Sequence, residues 1–191
     1  MRLSTPMNTR TLNPLVIFAT AAVLSGCNTV YHGPTTPEGS ARVRFVAIQE
    51  KNFRSYLGVY VHAGDECGMP NKVVALGGGP VQFGGASKKD GEIGMSKDPR
   101  STYVLGQYFE IPIASEKRFY FTLAGGERGH VCHISASFVP RENAEYEVTY
   151  ATAPGACFSF VDEISIRDSR FVKTPERSTL KRPRACSFFW N

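Results

Sequence analysis

The chain has 191 residues and a formal net charge of +5, and 42% of its residues are hydrophobic. Without the 26-residue leader described below, 165 residues remain (191 − 26), enough for one domain that buries about two thirds of its unfolded surface, so no second domain is needed. The charge is unevenly spread: residues 41–165 hold 13 basic and 14 acidic side chains, whereas residues 166–191 hold seven basic and two acidic ones.

The first 26 residues have the charge order of a secretory signal. Arg2 and Arg10 precede an uncharged apolar run that begins at Leu15, and no acidic residue lies in this segment. The run from Leu15 to Gly26 is twelve residues long, so a helix rising about 1.5 Å per residue would cover roughly 18 Å of a hydrocarbon core about 30 Å thick. It is too short to span a membrane, and residues 1–26 are predicted to be a signal peptide.

The apolar run ends in Leu24-Ser25-Gly26-Cys27, which resembles the lipobox of bacterial lipoproteins. The resemblance implies a thioether-linked diacylglycerol on Cys27, cleavage before Cys27 and acylation of the new amino terminus. Two or three acyl chains make release slow, because each buried CH₂ contributes about 0.8 kcal/mol. In that family an Asp after the cysteine favours retention at the inner membrane; here Asn28 follows. We therefore expect a lipid anchor in the outer membrane, facing the periplasm or the cell surface, rather than an ordinary signal peptide with a chance cysteine.

Residues 28–40 are rich in Gly, Pro and Thr without an apolar period, so residues 27–40 are assigned as a lipidated tether. From Ala41 onward the dominant period is two. Alternating runs begin at Val43, Leu57, Phe109, Phe119, Cys132, Tyr146 and Phe158. Their spacing of about ten residues and the lack of a helical period predict an all-β fold, an antiparallel β-sandwich of about seven to nine strands over residues 41–165.

Two positions in these runs carry specific expectations. Pro112 should lie on an edge strand, because proline cannot donate to a sheet ladder. Phe158, Phe160 and Ile164 share one face of their run, and this face is predicted to be the buried one.

Residues 41–165 also carry a pattern resemblance. ARVRF in the first run, Ile93-Gly94-Met95, Phe138-Val139-Pro140 and AEYEVTY resemble uncharacterised bacterial outer-membrane lipoproteins with a lipobox signal and a prealbumin-like β-sandwich. The resemblance implies a prealbumin-like or immunoglobulin-like arrangement and a location in the envelope. It implies no activity.

Four cysteines remain besides Cys27: Cys67, Cys132, Cys157 and Cys186. In an oxidising compartment this even number predicts two disulfides. If residues 130–164 form a meander in one sheet, Cys132 and Cys157 lie about 9.5 Å apart, beyond the roughly 7 Å that a disulfide permits. We therefore favour Cys67–Cys132 with Cys157–Cys186 over the alternative of Cys67–Cys157 with Cys132–Cys186.

The sequence His130-Val131-Cys132-His133, with His62 and Cys67, raises the alternative of a copper or zinc site. On a strand His130 and Cys132 point to one face and His133 to the other, and an oxidised cysteine loses its thiolate. We predict no metal ligands and no cofactor.

No arrangement of residues is typical of an enzyme or of a phosphate-binding loop. Gly84 is followed by Gly85 and Ala86 rather than by the Lys and Ser or Thr of a phosphate loop, so the glycine-rich stretch is predicted to be a mobile loop that continues through Asp98. The motifs of serine hydrolases and zinc peptidases do not occur either.

The basic segment 166–191 is predicted to be packed on the domain. Because an exported protein does not meet nucleic acid routinely, its charge indicates solvation or contact with anionic lipid or an acidic partner. Aromatic residues are the candidates for a partner surface: Tyr56, Tyr60, Phe188, Phe189 and Trp190.

The function expected from these features is that of a noncatalytic, lipid-anchored envelope protein. It would act as a structural or protein-interaction module at the outer membrane, with an envelope protein as partner. The alternatives are a periplasmic enzyme or enzyme inhibitor with a dispersed site and, less favoured, a copper- or zinc-binding protein.

Overall fold

The computed structural model describes residues 31, 33–34, 38–48, 56–62, 70–76, 91–101, 108–127, 130–153 and 156–181. Ten strands lie in these ranges: β1 (Ala41–Ile48), β2 (Tyr56–His62), β3 (Pro70–Leu76), β4 (Tyr108–Ile113), β5 (Phe119–Glu127), β6 (His130–Phe138), β7 (Glu145–Ala153), β8 (Ala156–Arg167), β9 (Arg170–Pro175) and β10 (Leu180–Lys181). The predictions for Cys27, Cys67, Cys186 and the three terminal aromatic residues lie outside the described residues.

The strands form two five-stranded sheets. The first sheet has the order β4-β1-β7-β8-β9 and the second has the order β10-β6-β5-β2-β3. Every strand pair is antiparallel except β1 with β7, which are parallel. The predicted all-β sandwich is confirmed.

The core lies between the two sheets and follows the period of two in the sequence. In β1, Val43 and Phe45 are fully buried in the core, and on β5 the rings of Phe121 and Phe119 face them from the second sheet. Phe45 and Phe121 meet edge to face with their ring centroids 5.8 Å apart, a favoured geometry for aromatic pairs. Alternation therefore places one face of each central strand against the opposite sheet.

Pro112 lies on β4, an edge strand of the first sheet, as predicted. It is opposite Arg42, whose amide donates to the carbonyl of Ala144 in the other direction, toward β7. The backbone of Pro112 therefore points away from β1, where the missing N–H costs no ladder hydrogen bond.

The basic C-terminal segment contributes to both sheets as far as it is described. The sequence-based boundary at residue 165 falls inside β8, which continues to Arg167 and turns into β9 at the edge of the first sheet. Strand β10 then pairs with β6 at the edge of the second sheet, with Leu180 opposite Ser137.

A disulfide joins Cys132 to Cys157, with 6.2 Å between their Cα atoms. Both pairings drawn from the sequence are therefore wrong. The error lies in the assumed meander: β6 belongs to the second sheet and β7 and β8 to the first, so the two cysteines face each other across the sandwich instead of lying two strands apart within one sheet.

We expect the pairing to appear in a tryptic map of the non-reduced protein. Cleavage after Arg128, Arg141 and Arg167 releases peptides 129–141 and 142–167, which should stay linked until a reductant is added. Replacing both cysteines by alanine should lower the free energy of unfolding by about 3 kcal/mol, because the bond closes a loop with a sequence separation of 25. A link from peptide 129–141 to the peptide that contains Cys67 would contradict the fold.

Candidate functional site

The outer face of the first sheet, which points away from the core, carries the site. Strand register aligns Arg44 with Glu110 on one side and with Glu147 on the other, and aligns Ile48 with Ala151. The face thus has two regions, a cluster of charged side chains near its middle and a group of apolar side chains at one end.

Arg44 is the centre of the charged region and is fully buried. Its Nε and Nη2 donate to Oε1 of Glu110 at 2.9 and 2.7 Å, and its Nη1 donates to Oε2 of Glu147 at 3.4 Å. The side chain of Glu110 is as buried as that of Arg44. A guanidinium stays charged in a protein, so its burial is tolerated only beside such partners, since desolvation of an unpaired charge is very costly.

The cluster is electrically balanced. Lys173 on β9 donates to Oε1 of Glu147 at 2.5 Å, and the hydroxyl of Thr149 donates to the same oxygen at 3.3 Å. We name Arg44, Glu110, Glu147 and Lys173 the ionic cluster. It holds two cations and two carboxylates, so its formal charges cancel.

Residues 91–101, which we name the covering segment, lie over this cluster. The amides of Ile93 and Met95 donate to Oε2 of Glu110 at 2.8 and 3.3 Å, and Nη2 of Arg44 donates to the carbonyl of Met95 at 3.1 Å. The side chain of Met95 is buried. The stretch predicted to continue as a mobile loop through Asp98 is thus held on the sheet from Gly91 onward, where the carbonyl of Gly91 accepts from the amide of Glu110.

A more exposed ion pair fixes the same segment beside the cluster. Nη2 of Arg42 lies 2.6 Å from Oε1 of Glu145, and 39% of the Arg42 side chain is exposed. The other oxygen of Glu145 accepts from the amide of Ser96 at 2.9 Å, and Nη1 of Arg42 donates to the carbonyl of Gly94 at 3.3 Å. The covering segment is therefore bound through its backbone amides and carbonyls.

The ends of the covering segment carry their own ion pairs. Lys97 donates to Glu92 and to the hydroxyl of Tyr108, and the hydrogen bond from Lys97 lowers the pKa of the Glu92 carboxyl. Arg100 binds Asp98 through both its side chain and its amide, and these hydrogen bonds lower the pKa of Asp98. Charged groups of this face are thus used to hold the chain in place.

The apolar region lies at one end of the outer face, beside the ionic cluster. Register aligns Ile48, Ala151 and Phe158 across three strands, and Phe160 follows Phe158 on the same side of β8. The side chains of Ile48, Phe158 and Phe160 are 57%, 45% and 52% exposed. We name Ile48, Ala151, Phe158 and Phe160 the apolar patch. Lys181 borders it, with its Nζ 5.5 Å from the centroid of the Phe160 ring.

The prediction of which face of β8 is buried is wrong for Phe158 and Phe160. Sequence alternation suggested that Phe158 and Phe160 are buried, whereas the residues that face the other sheet are Cys157, Ser159 and Val161. The disulfide explains the difference, because the bond to Cys132 requires Cys157 to point inward and alternation then turns the phenylalanines outward. The covalent link overrides the apolar pattern.

Other residues singled out from the sequence lie on the second sheet. Leu57, Val59 and Val61 are buried in the core, so Tyr60 is on the opposite side of β2, where it is half-buried. Of Tyr56 only the backbone is described. These tyrosines are therefore not part of the apolar patch.

Two of the residues considered as metal ligands, His62 and Cys132, have other partners. Nε2 of buried His62 lies 2.8 Å from the hydroxyl of Thr122, which in turn lies 2.8 Å from that of Ser135. Cys132 is bonded to Cys157 and supplies no thiolate. Among the residues that the structure describes, no group of three or more His, Cys, Asp or Glu side chains is placed to hold a metal ion.

Comparisons with protein-family models, with curated proteins and with solved structures gave no match for this chain. In the described parts of the chain, no helix has the length and apolar character needed to cross a membrane. The candidate site is therefore defined by its geometry, which combines a buried ionic cluster with an exposed apolar patch on the same face of one sheet.

We expect Arg44→Met to destabilise the protein by about 3–5 kcal/mol, because it leaves the carboxylate of Glu110 buried without its cation and that of Glu147 with Lys173 alone. The matched control is Arg42→Met, which removes a partly exposed pair and should cost no more than about 1 kcal/mol. Urea unfolding measures both values, provided that the denaturant slope is unchanged. Equal effects of the two substitutions would contradict the structural role of the ionic cluster.

The stability of the cluster should also depend on pH through Asp162, which lies opposite Glu147. Burial raises the pKa of this carboxyl, and Lys173 offsets part of the effect. A raised acid pKa means that stability is greatest below the ordinary pKa of the unfolded chain and falls as pH rises through the folded value. We therefore expect Asp162→Asn to raise the urea midpoint at pH 7 and to have no such benefit at pH 3.

The control for this pH dependence is Asp98→Asn, which should act in the opposite direction. The pKa of Asp98 is lowered by its hydrogen bonds to Arg100, so its ionised form stabilises the fold at pH 7. Loss of stability at pH 7 in both variants would contradict the raised pKa of Asp162.

Proposed function

We propose that the protein is a noncatalytic, lipid-anchored envelope protein that acts as a protein-interaction module at the outer membrane. Its anchor would be the acylated Cys27 at the end of the lipobox-like sequence. The Cys132–Cys157 disulfide supports an oxidising compartment outside the cytoplasm, since such bonds persist there.

The ionic cluster supports a structural use of the charged residues. Oε1 of Glu110 accepts from Arg44 and its Oε2 accepts from two backbone amides, and Glu147 is shared between Arg44 and Lys173. Carboxylates bound in this way fix the covering segment. They also build a rigid face on which the apolar patch is presented.

The observation that carries the proposal is the burial pattern of β8, in which phenylalanines are exposed and a serine is buried. Phe158 and Phe160 are exposed, while the buried hydroxyl of Ser159 between them has no hydrogen-bond partner among the described residues. Burial of apolar surface alone would favour the opposite arrangement. Residues that break such rules are expected at functional sites, and exposed aromatic rings are typical anchors of protein interfaces. The partner expected is an envelope protein that presents apolar side chains.

The first arm of the test establishes the anchor. Mass spectrometry of protein from membranes of its native host should give an amino-terminal peptide that begins at Cys27 and carries acyl chains. Cys27→Ser should remain uncleaved, because serine forms no thioether. An intact leader or an unmodified Cys27 thiol would overturn the lipid anchor.

The second arm tests the patch by crosslinking in intact cells followed by capture of the protein. Phe158→Ser with Phe160→Ser should lose a crosslinked partner that the unchanged protein retains. The matched control is Ile166→Ser, since Ile166 is 56% exposed on the same face of β8 near its other end. A partner retained by the double variant, or lost equally in the control, would contradict the role of the patch.

A further inference from the structure

The segment assigned as a tether is attached to the sandwich near its beginning. The hydroxyl of Tyr31 donates to the carbonyl of Pro112 at 3.0 Å, and the Tyr31 ring packs against the core cluster. Burial raises the pKa of Tyr31 to about 12. Tyr31 is thus bound to the edge of the first sheet rather than exposed to solvent.

Two glycines show the same close approach. A Cβ on Gly33 would lie 2.7 Å from Cγ of Pro112, so the tether backbone lies directly against the proline ring. Farther along, the hydroxyl of Ser115 donates to the carbonyl of Gly39 at 2.5 Å. The tether is therefore held at residues 31, 33 and 39.

The position of this contact follows from the edge strand. In β4, Ile111 and Ile113 direct their backbone N–H and C=O groups toward β1. The carbonyl of Pro112, which lies between them, therefore points away from β1. Tyr31 occupies this outward acceptor and covers part of the edge. We name Tyr31, Gly33 and Pro112 the anchor corner.

The contact shortens the free part of the tether. If residues 28–40 were unattached, the fourteen steps from Cys27 to Ala41 would reach about 50 Å. With Tyr31 bound, only residues 28–30 lie between Cys27 and the sandwich, and the four steps from Cys27 to Tyr31 reach at most about 14 Å.

We infer that the anchor corner lies against the lipid surface and that the apolar patch is held away from it. This inference rests on the proposed acylation of Cys27. Arg42 lies opposite Pro112, and Ile48 of the patch is six residues farther along β1, a distance of about 20 Å. Across the sheet, β8 lies three strands from β4, a distance of about 14 Å. The phenylalanines of the patch and the anchor corner are therefore at diagonally opposite positions on the first sheet, so the anchor presents the patch to a protein partner and not to lipid.

The experiment places a fluorophore at either end of the acylated protein in vesicles that contain lipids with spin-labelled head groups. Lys117 and Ala153, both exposed, are the labelling positions, and they lie near the anchor corner and near the patch. We expect quenching at position 117 to exceed that at position 153 several-fold. Tyr31→Ala should reduce this difference, and Tyr31→Phe, which keeps the ring but loses the hydrogen bond, should reduce it less.

A second variant leaves the domain unchanged. Ten Gly and Ser residues inserted between Asn28 and Thr29 lengthen the free chain without altering Tyr31, and this insertion should also reduce the difference in quenching. Equal quenching at both positions of the acylated protein, or a difference unaffected by the insertion, would overturn the inference and leave the proposed anchor intact. Mass spectrometry of the same sample separates the cases, since an unacylated Cys27 would overturn both.

Discussion

The buried pair of Arg44 and Glu110 is the constraint on which the outer face of the first sheet depends. A guanidinium and a carboxylate without solvent contact are stable only when their hydrogen-bonding groups are occupied. Here the occupants include the backbone of the covering segment. A chain segment without regular secondary structure is therefore fixed by charge, and β4, β1 and β7 are joined by side chains as well as by their ladders.

The Cys132–Cys157 bond imposes the second constraint, on the direction of side chains. It connects the two sheets and sets which residues of β8 point inward. Because successive side chains of a strand alternate, one inward cysteine is enough to expose Phe158 and Phe160. The disulfide that stabilises the domain is thus associated with the exposure of two phenylalanines on β8.

Alternation in the sequence locates β1, β2 and β4 to β8, but it misses β9 and β10 and does not determine how the strands are arranged in two sheets. Alternation at Val43 and Phe45 predicts a buried strand face correctly, and the missing amide of Pro112 predicts an edge strand. Neither signal specifies which sheet receives a strand, and so the disulfide was predicted wrongly. Arg44 and Arg42 are alike in sequence. Their different burial depends on partners in other strands and in the covering segment, which alternation does not reveal.

In the tether, a few contacts turn a segment expected to be a flexible spacer into one that is bound to the domain. Composition indicates a flexible spacer in residues 28–40, since no apolar period is present. The hydroxyl of Tyr31 nevertheless donates to an outward carbonyl of the edge strand β4, and Gly33 permits the backbone to lie against the ring of Pro112. Such contacts depend on the position of β4, which is more than 70 residues away along the chain. A spacer sets only a maximum distance from a membrane, whereas a bound segment also selects the corner of the domain that faces it.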